Sequence, residues 1–356
     1  MPPQYWPQTA LLHDHLDGSR PLLNILPELH LLSRKEYPFD PWASHHEQVK
    51  KWFKDPQVDI VKKFSITTGV MQSVETIVLA AKTYVQTRAR QGFKYCEVTI
   101  APQYHVLGGL SIQEVIGALI EGVKEGEKEH PKIEVNLLAS VGREVEPEKA
   151  VELVEAFAEC DRNYVVGVGL VCDEGGNPPE KHDPMFRRAH KLGMKTDCHA
   201  GEWCHLPKPF VGIKVIDTPT WREYQRVLMR NVYTAVFQLG ADRISHAIPL
   251  AYDHSTFRGE VLKRVLEKNI PVLGCPGSNY DSGLIPNMTY LGIRRLLELG
   301  VEYSIHPDDD LFQPDLDEVF QRCNDEYRFI EEEKKQLLAN PWLSRFGNRK
   351  NHPTQT

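Results

Sequence analysis

Short apolar runs bounded by turn residues alternate along this chain with segments of helical spacing. Eight runs read as strands: 10–16 (ALLHDHL), 93–100 (FKYCEVTI), 133–141 (IEVNLLASV), 164–171 (YVVGVGLV), 194–200 (MKTDCHA), 243–248 (RISHAI), 270–276 (IPVLGCP) and 302–308 (EYSIHPD). Between them, residues 111–128, 147–161, 254–269 and 289–300 place apolar side chains on one helical face. Near-continuous apolar strands alternating with amphipathic helices predict a parallel sheet covered by helices, an α/β fold. Eight such units predict closure into a (β/α)8 TIM-type barrel. The interval 17–92 after the first strand reads as mostly helical, a cap inserted in the first loop. No internal repeat or Ser/Gly-rich linker divides the chain, so residues 1–345 are expected to form one barrel domain. The polar tail 346–356 (FGNRKNHPTQT) is expected to fray.

Composition narrows the function classes. The chain has 356 residues, 41% hydrophobic and 26% charged, with a formal net charge of −7. That balance supplies a full core and argues against nucleic acid or an anionic membrane as partner, either of which calls for a basic face. No apolar run approaches the roughly 18–20 residues of a membrane span. The start, MPPQYWPQTALL, lacks the basic and apolar regions of a signal peptide. Seven cysteines, at 96, 160, 172, 198, 204, 275 and 323, are an odd, scattered set without a CxxC pair. They fit reduced thiols in a cytoplasmic enzyme better than a disulfide framework.

The candidate chemistry gathers at the strand ends, where barrels of this kind carry their active sites. His13 and His15 end the first strand, and residues i and i+2 of a strand share a face. His199 closes the fifth strand, His246 the sixth and Asp308 the eighth. Three imidazoles and a carboxylate suit a zinc ion that keeps a position for water. In KTDCHAGEWCH (195–205), Glu202 follows His199 by three residues, with small residues between them. That spacing suits a metal ligand beside a proton carrier. Each piece also has a plainer reading. An HxH pair in a strand is often accidental, His199 and His246 could be satisfied buried histidines, and Asp308, Asp309 and Asp310 could start a helix. His306 competes with Asp308 as a ligand, His205 reads as structural or as a lid residue, and His45-His46 reads as a solvated face. It is the coincidence of placement that favours the metal.

LLHDHLDGS (11–19), CHAGE (198–202), ISHA (244–247), CPGSNYDSG (275–283) and SIHPDDDL (304–311), in this order, resemble the adenosine deaminase family of metal-dependent hydrolases. YCEVTIAP (95–102) and EEEKKQLL (331–338) are similar to family segments as well. The resemblance implies one zinc per chain, held by His13, His15, His199 and Asp308. It implies Glu202 as the proton carrier at the purine ring nitrogen, His246 beside the attacking water, and Asp309 as acceptor from a purine nitrogen. His15, Asp17, Cys172 and Asp309 are the implied substrate-facing positions, with Asp17 accepting from the ribose 5′-hydroxyl, unless it merely caps the following helix. Phe64 resembles an apolar lid residue beside the purine, with a place in the core as the alternative.

The implied reaction is deamination of a purine nucleoside, adenosine or 2′-deoxyadenosine to the inosine product and ammonia. The alternatives are adenine or another aminopurine derivative as substrate, and a catalytically silent binding barrel. Two other metal arrangements lack their residues. The bridging lysine of two-metal relatives has no counterpart nearer the fourth strand than Lys181, and the PCxxC pair of cytidine-deaminase-type zinc sites does not occur. Two features depart from the family pattern. Cys172 stands where the family usually has glycine, and the segment 203–221 is longer than usual and is expected to form an extra lid.

Overall fold

A computed structural model describes residues 9–40, 42, 47–208, 210–211, 214–215, 218–253, 257–350 and 352. His45-His46 and several residues of the 203–221 segment lie outside these, so the expectations placed on them go untested.

All eight expected strands are present. In chain order they are β1 (Ala10–Leu11), β2 (Tyr95–Ile100), β3 (Glu134–Gly142), β4 (Val165–Val171) and β5 (Lys195–Ala200). After a short antiparallel pair, β6 (Phe210–Val211) and β7 (Lys214–Val215), come β8 (Arg243–His246), β9 (Val272–Gly274) and β10 (Tyr303–Ile305). The main sheet runs β1-β2-β3-β4-β5-β8-β9-β10 with parallel neighbours throughout. A parallel bridge between Asp14 and Asp308 brings its two edges together, giving the (β/α)8 TIM-type barrel. β1 ends at Leu11, earlier than the apolar run suggests, because residues 12–15 diverge toward both neighbouring strands: Asp14 bridges to Asp308 and His15 to Thr99.

The helices begin where the sequence supplies caps. Ser111 and Glu114 form a capping box for α5 (Ile112–Glu129), and Ser73 with Thr76 does the same for α4 (Val74–Arg90). The long interval after β1 is helical, with α1 (Leu26–Ser33), α2 (Glu47–Lys54) and α3 (Ile60–Val70) ahead of α4. The first part packs its own apolar cluster, in which Leu23, Leu26, Val49, Phe53 and Ile66 meet Leu311 and Phe312 beyond β10. The cap therefore sits against the β10 side of the mouth.

The opposite end of the barrel is charged. Buried Arg243 lies between Glu97 (2.8 Å) and Asp197 (2.6 Å), with the Phe346 ring 3.9 Å from its guanidinium carbon. Residues 346–350 do not fray as expected. Gly347 N–H donates to the Tyr95 hydroxyl, Arg349 pairs with Glu127, and Lys350 N–H donates to Glu134. The tail closes the barrel floor because its polar groups find buried carboxylates there. Among the described residues no single helix is long and apolar enough to cross a membrane.

Candidate metal centre

The four implied ligands meet at the mouth. His13 Nε2 stands 3.1 Å and His15 Nε2 3.3 Å from the same oxygen, Asp308 Oδ1. His199 Nε2 is 3.3 Å from His15 Nε2. His246 joins them: its ring lies 5.1 Å from that of His13 and 5.0 Å from that of His199. His13, His199, His246 and Asp308 each present a donor atom within 4.8 Å of the others. Two imidazole nitrogens face each other, and one of them, with a third, crowds one carboxylate oxygen in a buried space. Lone pairs aimed at one buried point are costly unless a cation or protons fill it, and nitrogen with carboxylate oxygen is a zinc-type donor set. The residues fit a metal ion.

Two neighbours complete the cluster. Glu202 Oε2 is 3.6 Å from His246 Nε2, a buried atom without a hydrogen-bond partner among the described residues. Asn279 Nδ2 lies 3.1 Å from His246 Nδ1. With the amide nitrogen facing Nδ1, a neutral His246 carries its proton on Nε2; the reversed amide would free Nε2 to accept.

Burial and charge then set the protonation states. Burial, reinforced by the charges of Asp308 and Glu174, raises the Glu202 carboxyl well above the usual range. Burial lowers His246 to about 3, so that ring is neutral. At His15 burial works downward, yet the carboxylates of Asp309 and Asp308 win and raise it to about 10. Burial would raise Asp308, but His13 and His15 hold it well below the carboxylate range. Asp309 is raised by burial and by Asp308.

The backbone is strained around the same point. Cys172 (φ 77°), His246 (φ 68°) and Asp308 (φ 69°) are left-handed without being glycine, and Gly201 (φ 72°) joins them. Each such non-glycine residue costs of order 1–3 kcal/mol, a strain that clusters at functional sites.

The substrate-facing candidates divide. Asp17 is buried, 3.8 Å from His105 Nε2, and does not cap the following turn, whose N-cap residue is Ser19. Asp309 Oδ1 is buried without a hydrogen-bond partner among the described residues, against Gly18, where an added Cβ would collide with it. Cys172 Sγ points at the Tyr104 hydroxyl, 3.5 Å away. Phe64 packs edge-on against Phe312 at 4.9 Å, within the cap. His205 packs against Trp203 on the exposed side of the mouth. His306 turns away from the cluster: Ser304 Oγ lies 2.8 Å from its Nε2, and Leu12 N–H donates to its Nδ1. Lys181 Nζ pairs with Glu146, outside the cluster.

Sequence reasoning missed the supporting layer. Between its two neighbouring histidines, Asp14 points outward to Arg88 (2.7 Å) and the Tyr84 hydroxyl (2.6 Å), and Arg88 also grips Asp310 at 2.8 and 3.0 Å. One buried arginine thus ties together the ends of β1 and β10. Arg143 donates to the His199 carbonyl, and Glu174 accepts from the turn that follows. Only Asp14 and Asp310, polar residues alternating with the implied ligands, carried a local signal.

A sequence model described as adenosine deaminase matches residues 7–211 and 228–352. An adenosine deaminase of Mycolicibacterium vanbaalenii is 26% identical over 318 residues, 85% of this chain and 80% of that protein. The adenine deaminase structure from Arthrobacter aurescens superposes with a TM-score of 0.75 at 21% identity, covering 96% of this chain and 94% of that one. An amidohydrolase structure from Burkholderia ambifaria with bound Zn gives 0.76 at 21% identity, covering 95% and 85%. With the motifs, the barrel and the mouth cluster in agreement with this match, the chain belongs to the adenosine deaminase family and is a hydrolytic deaminase.

Proposed function

We propose that this protein is a zinc-dependent deaminase of adenosine and 2′-deoxyadenosine. The reading is carried by the convergence of His13, His15, His199 and Asp308 beside Glu202 and His246. His13, His15, His199 and Asp308 would hold the ion, which supplies the Lewis acidity that makes water a competent nucleophile near neutral pH. Glu202, protonated through burial, donates to the ring nitrogen beside the amino-bearing carbon and so makes that carbon electrophilic. It then recovers a proton and passes it to the departing amine. His246, neutral and held by Asn279, orients the attacking water and hydrogen-bonds the oxygen as charge develops there. Asp309, with its proton affinity raised by burial and by Asp308, donates its carboxyl proton in a hydrogen bond to a purine ring nitrogen, since the free ring nitrogens of adenosine carry lone pairs and not hydrogens. Asp17 accepts from the sugar 5′-hydroxyl.

Adenine or another 6-aminopurine is the second reading, and one observation favours it. Cys172 puts a side chain, facing the Tyr104 hydroxyl, where the family usually has glycine, and so leaves less room on the substrate-facing side of the mouth. A panel of adenosine, 2′-deoxyadenosine, adenine and 5′-modified adenosines, followed by ultraviolet absorbance, separates the readings. Turnover of the nucleosides well above adenine supports the first; equal or faster turnover of adenine replaces it with the second.

A further inference from the structure

We propose that Glu174 is the positioning residue for Glu202: its carboxylate fixes the turn that presents the proton carrier to the substrate. The proposal rests on the assignment of Glu202 above and goes beyond it. Glu174 is buried, two residues past Cys172 in the loop after β4. Among the described residues it makes three bonds, all to the turn after β5: Gly201 N–H donates to Oε1 at 2.7 Å, Glu202 N–H to Oε2 at 2.7 Å and Trp203 N–H to Oε2 at 3.1 Å. Three successive backbone donors on one carboxylate are charge-assisted bonds, roughly twice as strong as neutral ones. They hold Gly201 in its left-handed conformation, so the chain reverses immediately after His199.

The surroundings assign the work to Glu174. Upstream, the His199 carbonyl is held separately by Arg143, so ligand and proton carrier have different anchors. Downstream, the Trp203 indole lies over Gly175, where an added Cβ would come within 2.9 Å of the ring. The β4 loop therefore grips the turn from two sides. Among the described residues the Glu202 side chain has no hydrogen bond, and its nearest ionic approach is to His246 Nε2 at 3.6 Å. Its aim is consequently set through its backbone. Removing the carboxylate would let Glu202 wander while leaving His199 in place.

The test is a double-mutant cycle with metal content measured on every variant. Glu174→Gln keeps the size but turns an amide N–H2 toward backbone N–H groups. It should lower kcat by at least about tenfold with KM changed less than about threefold and metal retained, since a misplacement of about 1 Å can cost a hundredfold. In a Glu202→Gln background the same substitution should cost less than about twofold, because a group acting through Glu202 has nothing left to position. Glu174→Asp, measured in parallel, keeps the charge but withdraws the oxygens, and it should lose kcat in the same coupled way; it serves the cycle if the amide variant does not fold. Losses that multiply in the double variant, or loss of metal together with activity, would overturn the proposal. So would full activity in both Glu174 variants. Near-normal turnover of Glu202→Gln alone would instead overturn the role given to Glu202.

Discussion

His13 Nε2 meets Asp308 Oδ1 at 3.1 Å although 295 residues separate them, and the contact joins the two edges of the sheet at the mouth. Barrel closure and the candidate metal centre are thus one structural event. Substitutions at the ligands should therefore register first in metal content. His13→Ala, His15→Ala and His199→Ala should each lose bound zinc along with activity, since each removes one of few ligands. His246→Ala should lose activity while keeping most of the metal. Metal analysis of the four purified variants checks this; equal zinc loss in all four would make His246 a ligand.

Metal binding should release a proton. With its pKa raised to about 10, His15 is protonated at neutral pH in the metal-free protein, and coordination requires the neutral ring. Zinc affinity should rise with pH, by up to about tenfold per unit below that value. Calorimetric titration in buffers of different ionisation enthalpy reads the released proton directly. An affinity flat between pH 6 and pH 8 would contradict the assignment of His15.

Arg88 should matter more to stability than a helix-end arginine ordinarily does. Arg88→Ala leaves Asp14 and Asp310 buried without their cation, a situation that costs about 3–5 kcal/mol. Denaturant melts of the metal-free protein should show the loss. A change below about 1 kcal/mol, the value of an exposed pair, would mean the network does not hold the strand ends.

These residues also show what could be read in advance. The eight strands were legible because buried parallel strands are apolar runs, and His13 and His15 because strand alternation gives them one face. Glu202 and Asp308 followed from motif and position. Arg88 was not legible: in QTRARQG it looks like any exposed helix-end arginine, and Asp310 lies 222 residues away. Glu174 was hidden in the same way, since backbone N–H groups carry no sequence label. The tail was misjudged because Arg349 and Lys350 are soluble-looking residues whose carboxylate partners, Glu127 and Glu134, stand on distant elements.

Asp17 should make the enzyme discriminate at the sugar. 5′-Deoxyadenosine lacks the hydroxyl and would strand a buried acceptor, a penalty of roughly 1–3 kcal/mol. Its kcat/KM should fall accordingly, and Asp17→Ala should shrink the difference because no carboxylate is left to strand. Equal use of adenosine and 5′-deoxyadenosine by the wild type would remove Asp17 from sugar recognition.

The central claim is that Glu202 moves protons beside a metal it does not bind. Ammonia release from adenosine by zinc-loaded wild type and zinc-loaded Glu202→Gln tests it most directly. The variant should retain wild-type zinc and lose at least roughly 10²–10⁴-fold in kcat, the contribution of a positioned acid/base. Near-normal ammonia release by the zinc-loaded variant would contradict the account.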